Sequence, residues 1–340
     1  MLYFENDYSE GACKEVLDEL IKTNYESTNT YGFDKYSDAA KEKIKKACGI
    51  NDGDVFFLIG GTGTNKTVIA SLLQNYESVI SANTGHINIH EAGAIENSGH
   101  KIIGIPHIDG KINLIELKKY LNDFYNDSSF EHMTIPGMIY ISHPTEYGTL
   151  YTKEELKSLS DICKEYKLKL YLDGARLGYG LSAKGTNVTL KDIAKFCDVF
   201  YIGGTKVGAL FGEAVVFTRN TPSHFITTIK QNGSLLAKGR LLGVQFNKLF
   251  SNNLYLKISK KAINYAEILK KALIDKGYNL FIDSPTNQIF VILENNKIAK
   301  LEKNVKFSLW EKYDENHTVI RFVTSWSTDE EKLKRLINYL

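Results

Sequence analysis

Six short apolar runs, at residues 54–59, 78–80, 101–105, 137–141, 169–172 and 199–202, punctuate the first two-thirds of the chain. Segments with helical apolar spacing, such as 67–74, 114–122 and 153–166, lie between several of them. Runs this short and this uniformly apolar suit strands covered on both faces. Their alternation with helices predicts a mostly parallel, doubly wound α/β sheet. A further short strand is expected at 213–218, as a candidate antiparallel member, and helical spacing at 10–22 and 36–47 adds two helices before the first strand.

From about residue 220 the texture changes. A largely helical stretch at 226–276 precedes short strands near 288–293, 306–310 and 318–323 and a final helix at 329–339. This pattern predicts a smaller α+β domain behind the large one. We divide the 340 residues into a large domain at 1–245 and a small one at 246–340, with residues 1–20 placed to pack on the small domain.

Charge narrows the partners. Lys+Arg 42 against Asp+Glu 40 leaves a net charge of +2, which offers no basic stripe for nucleic acid and no anionic-membrane surface. The 20 Tyr and 17 Phe are therefore assigned to cores and interfaces. Cys13, Cys48, Cys163 and Cys197 are widely spaced, without C-x-x-C, as expected in a reducing cytoplasm. The N-terminus meets acidic residues at once and lacks a signal-peptide pattern, and no apolar stretch reaches membrane-spanning length.

Two of the strands stop at polar residues. Asp173-Gly174-Ala175-Arg176 ends one, and Gly203-Gly204-Thr205-Lys206 ends the next. In an open α/β sheet the carboxyl ends of strands are where ligands bind. An acid there can keep a pyridine nitrogen protonated, and a lysine among small and apolar neighbours becomes a nucleophilic amine. Together they are what pyridoxal 5'-phosphate (PLP) requires, although singly Asp173 reads as a turn acid and Arg176 as a surface charge.

Other turns fit the same chemistry. Gly60-Gly61-Thr62-Gly63 separates a strand from a helix, where backbone N–H groups and the helix dipole favour a phosphate. The same stretch misses a nucleotide-binding P-loop at one position, Asn65 standing before Lys66-Thr67, so an NTP-binding protein is the minor alternative. His86, in Thr84-Gly85-His86, is placed to lie on an aromatic cofactor ring. His86 and His90 lack a third ligand and H-E-x-x-H spacing, so no metal is expected. Arg321, inside an expected strand of the small domain, has the fork geometry for a substrate carboxylate.

These segments, in order, resemble the threonine aldolase / β-eliminating lyase family of fold-type I PLP enzymes. The resemblance runs through Gly61-Thr62 with Asn65, His86 with Glu91-x-Gly93-Ala94, and Pro144-Thr145-Glu146-x-Gly148-Thr149-x-Tyr151. It continues through Asp173-Gly174-Ala175-Arg176 and Thr205-Lys206 to Arg321-Phe322-Val323-Thr324. It implies a fold-type I transferase-like architecture: a mostly parallel seven-stranded sheet plus the small domain.

The resemblance also implies roles. Lys206 would hold PLP as a Schiff base, Asp173 would pair with its ring nitrogen, and His86 would stack on the ring. Gly61, Thr62 and Thr205 would contact the phosphate; Arg176 and Arg321 would bind the amino acid carboxylate. Tyr31 matches a segment near the family's active site, and Lys238 is placed to reach a neighbouring subunit's phosphate, since family sites draw on two subunits of a homodimer or homotetramer. Two departures stand out. The family's usual Ser-Asp is replaced by Asn6-Asp7-Tyr8-Ser9, which moves a carboxylate contact to Asn6 or Ser9 or removes it. His90 stands where an aromatic residue often lies close to substrate.

The expected reaction is cleavage of a β-hydroxy-α-amino acid of the threonine or allo-threonine type to glycine and an aldehyde. His86, His90 or a water would be the base. β-Elimination and transamination are the alternatives on the same scaffold.

Overall fold

The computed structural model describes residues 1–340. Seven strands form one sheet: β1 (Asp54–Leu58), β2 (Glu77–Ala82), β3 (Ile102–Ile105), β4 (Ile135–Ser142), β5 (Lys169–Asp173), β6 (Val199–Gly203) and β7 (Glu213–Phe217). Their spatial order is β1-β7-β6-β5-β4-β2-β3. Strand β7 runs antiparallel to both β1 and β6, and every other pair is parallel. This is the expected fold class, with the odd strand where the sequence placed it.

The uniform apolar runs are explained by two cores, one on each face. Met138, Tyr140, Tyr171 and Tyr201 face helix α1 (Gly61–Leu72), packing with its Val68 and Ile69. Their neighbours Ile139, Leu170, Leu172 and Phe200 turn the other way and pack with Leu156, Leu159 and Ile193. All five residues of β6 and all five of β7 are buried, which is why neither shows polar alternation.

The small domain carries a second, antiparallel sheet in the order β8-β9-β11-β10, from β8 (Leu280–Ile282), β9 (Gln288–Glu294), β10 (Ser308–Lys312) and β11 (His317–Val323). Helix α2 (Leu254–Asp275) joins the domains. Its Tyr255, Ala262 and Ile263 belong to the large core, whereas Ala266, Leu269 and Leu273 belong to the small one. The packing therefore passes from one core to the other midway along α2. No helix is long and apolar enough to cross a membrane.

The first residues form a strap across the small domain. Leu2–Tyr3 pairs in parallel with Val305–Lys306, Leu2 and Phe4 are buried in the small core, and the Val323 amide donates to the Phe4 carbonyl at 2.8 Å. The strap then delivers residues 5–8 to the junction with the large domain.

Two glycines let the ends of β5 and β6 touch. A Cβ on Gly203 would sit 2.3 Å from the Ala175 carbonyl oxygen, and one on Gly174 would sit 2.0 Å from that of Tyr201. Both contacts are backbone to backbone, so no side-chain rotation relieves them. This close approach draws the Asp173 and Lys206 turns into one site.

Candidate active site

Beyond the carboxyl ends of β1, β4, β5 and β6 lies a cleft of about 240 Å³. It brings together Gly61 and Thr62, His86, Asp173 and Arg176, and Thr205 and Lys206, residues scattered over almost 150 positions of sequence. Three carboxylates beside them, Asp173, Glu146 and Glu213, are buried in its wall.

Lys206 is half-buried in the cleft and makes no salt bridge, and its Nζ lies 5.7 Å from the centre of the Tyr8 ring. Burial, and then the Arg176 charge, push its pKa below the ordinary lysine value against the pull of Asp7, Asp173 and Glu213. A larger share of the amine is then neutral, hence nucleophilic, at moderate pH. The rate at which Lys206 reacts with an added aldehyde should climb with pH and level off well below 10.5, as followed by stopped-flow absorbance. A rate still climbing at pH 10.5 would show an ordinary lysine.

Asp173 ends β5 with both oxygens occupied. Oδ1 accepts from the Ala175 amide at 2.9 Å; Oδ2 accepts from Tyr140 OH at 2.6 Å and Asn65 Nδ2 at 3.0 Å. Burial alone would raise its pKa, but the His86 charge and these donors outweigh it and hold the group below 3.8. The result is a fixed anion in a low-dielectric wall.

His86 begins a short helix and is held from two sides. Its Nδ1 lies 2.7 Å from Glu91 Oε1, and its amide donates to Glu146 Oε1 at 2.9 Å. Asn65 Nδ2 also reaches Glu91 Oε1, at 2.7 Å, while Asn65 Oδ1 accepts from Tyr171 OH at the same distance. Asn65 thus ties the histidine's orienting carboxylate to Asp173. That use of Asn65 contradicts the P-loop reading: the residue is buried inside α1, and Lys66 bonds Asn97 Oδ1 at 2.9 Å, outside the cleft. No group of three metal-ligating side chains occurs.

The phosphate-type turn is present. Gly60, with φ +70°, lets the chain reverse from β1 into α1, whose first turn carries no acidic residue. Gly61 meets the cleft because a Cβ there would crowd the Tyr201 hydroxyl at 3.2 Å. Thr205 behaves differently from expectation: its hydroxyl donates to Glu213 Oε1 at 2.7 Å and accepts from the Gly212 amide at 2.9 Å. The side chain is committed to holding its own turn. Glu213, missed in the sequence because it reads as an ordinary strand start, also accepts from the Gly204 amide at 3.0 Å, and burial raises its pKa.

Arg176 is locked in a bidentate pair. Its Nε and Nη2 donate to Asp7 at 2.8 and 3.0 Å, and Asn287 Nδ2 adds a third bond to Asp7 at 2.9 Å. Of the N-terminal residues, Tyr8 lines the cleft and Asp7 holds Arg176 from behind it. Asn6 Oδ1 caps a local turn, accepting from the Tyr8 amide and the Ser9 hydroxyl, and neither Asn6 nor Ser9 lines the cleft.

Arg321 stands behind the cleft rather than in its lining. It donates to Gln288 Oε1 at 3.0 Å, Ser308 Oγ at 3.2 Å and the Glu5 carbonyl at 3.3 Å, under the Trp310 ring at 4.9 Å. Its Nε is buried without a partner, and burial followed by the Arg176 charge lowers its pKa to about 10. His90 sits between His86 and Trp310, with ring centres 5.6 and 6.4 Å away, and burial and its cationic neighbours lower its pKa. Tyr31 is not brought to this cleft. Its amide donates to the Ala237 carbonyl at 3.0 Å, next to Lys238, and its half-open ring lies under Lys230.

The profile of the beta-eliminating lyase family matches residues 6–305. The solved structure of a threonine aldolase from Leishmania major superposes with a TM-score of 0.95 at 40% identity, over 99% of this chain and 98% of that one. A low specificity L-threonine aldolase from Pseudomonas sp. (strain NCIMB 10558) is 29% identical over 98% of this chain and 95% of its own length. An aspartate aminotransferase from Thermus thermophilus, at a TM-score of 0.71 and 12% identity, shares the fold alone. Matched almost from end to end, and carrying the acid and the lysine of the motif in one cleft, this chain belongs to the beta-eliminating lyase family.

Proposed function

We propose that the protein is a PLP-dependent aldolase that cleaves threonine-type β-hydroxy-α-amino acids to glycine and an aldehyde. The observation that carries this is the pairing, within one cleft, of a half-buried lysine amine free of any salt bridge with a buried Asp173 carboxylate hydrogen-bonded on both oxygens. The wall also suits the cofactor's other groups. The buried Tyr201 hydroxyl has no partner, and the His86 ring is fixed at its far edge by Glu91.

In this reading Lys206 would hold PLP, Asp173 would pair with its ring nitrogen, and His86 would lie against its ring. The α1 N-terminus with Gly61 and Thr62 would take the phosphate, and Thr205, whose amide and hydroxyl are both engaged, would hold the Lys206 turn beside it. Bound PLP supplies an electron sink for the bond that breaks at Cα. The protein's part is orientation. Arg176, pinned by Asp7, presents a cation from the cleft wall to a substrate carboxylate, and Arg321, behind the lining, adds its positive charge to the same side.

We further propose a homodimer or homotetramer in which Tyr31 and Lys238, both turned away from their own cleft, serve a neighbour's. Sedimentation of a monomer that is fully active would refute the assembly. The reaction is tested by supplying threonine and allo-threonine and measuring glycine and acetaldehyde. A 2-oxo acid with ammonia in their place would point to elimination.

A further inference from the structure

Five buried carboxylates surround the cleft, and four of them are spent. Asp7 is paired with Arg176 and Asn287, Asp173 is held by three donors, and Glu213 accepts on both oxygens. Glu91 bonds His86 and Asn65 through Oε1, and its Oε2 is sealed from solvent.

Glu146 differs. Both of its hydrogen bonds, from Ser142 Oγ at 2.6 Å and the His86 amide at 2.9 Å, fall on Oε1. Oε2 makes no bond, yet it is not among the sealed atoms, and the residue lines the same cleft as Lys206, His86 and Asp173. A carboxylate anchored by one oxygen and offering the other has the build of a general base. The histidines are less suited: His86 has Nδ1 engaged with Glu91, and His90 lies outside the lining.

Resting on the aldolase reading, we propose that Glu146 is a catalytic residue, the base that takes the β-hydroxyl proton of the substrate. Oε2 accepts that proton, the O–H electron pair becomes the second bond of the aldehyde carbonyl, and the Cα–Cβ bond breaks. Its electron pair stays with the Cα fragment, which becomes glycine on taking a proton. No oxidant or reductant is needed. Burial, the largest influence on Glu146, raises its pKa above the ordinary 4.5, which brings it closer to working pH and strengthens it as a base.

Glu146→Gln keeps an oxygen for both Oε1 bonds and removes only the basic site. With PLP loaded, its visible absorbance and its exchange of the glycine α-proton with deuterated solvent should match the wild type. Its kcat for threonine cleavage should fall by on the order of 10²- to 10⁴-fold. Glu146→Asp, which restores a carboxylate, should recover part of the loss. Cleavage by Glu146→Gln within about threefold of wild type overturns the proposal, as does a parallel loss of glycine exchange, which marks a positional role. A wild-type enzyme that exchanges glycine but does not cleave threonine defeats the aldolase reading itself.

Discussion

Lys206→Ala is expected to stay colourless when mixed with PLP and to lose cleavage by on the order of 10⁴-fold or more, the scale on which removal of a covalent catalyst acts. The fold should survive. Lys206 forms no salt bridge in the wall, and shortening it removes a half-buried amine whose charge was already disfavoured. An unchanged circular dichroism spectrum with a vanished visible band is thus the signature of a chemical role. A yellow, active variant would exclude Lys206 as the attachment point.

Asp7→Ala has the largest expected effect on stability. Asp7 is buried, the Arg176 side chain is only 13% exposed, and Asp7 accepts three side-chain bonds. Removing the acid leaves a mostly buried guanidinium uncompensated at the cleft wall, a defect that costs up to about 3–5 kcal/mol. It also frees the strap that carries Glu5, whose carbonyl accepts from Arg321. Burial opposes the ionised form of Asp7, but Arg176, Lys206 and Asn287 outweigh it and set its pKa below 3.8. A depressed carboxylate stabilises the fold above that value and loses its contribution as pH falls through the lowered one. The wild type should therefore weaken in acid more steeply than Asp7→Ala, as read by denaturant midpoints from pH 6 down to 2. Equal midpoints at neutral pH would show the pair to be neutral.

The sheet was legible because a strand covered on both faces must be apolar along its covered length, as β4, β5 and β6 are between their ends. The small sheet was less so. β8 is three half-buried residues, and β10 bulges near Leu309 with most of its side chains only partly covered, so neither shows a clean period. Residues within one turn were read together correctly, as with Asp173 and Arg176, because local spacing carries that information.

Partnerships across the chain were not legible. Asn65 meets Asp173 across 108 positions, and Arg176 meets Asp7 across 169. Nothing in either segment names its partner. The N-terminal departure was therefore weighed on Asn6 and Ser9 as carboxylate contacts, while Asp7 between them holds Arg176. Glu146 was visible within a motif but carried no role until the structure showed one oxygen held and the other free.

The central claim is that this cleft is a PLP site built on Lys206. Borohydride reduction of the PLP-loaded protein, followed by peptide mass spectrometry, tests it most directly. The account predicts a phosphopyridoxyl group on the peptide containing Lys206 and on no other lysine. A protein that takes up no label, or carries it reproducibly elsewhere, would contradict it.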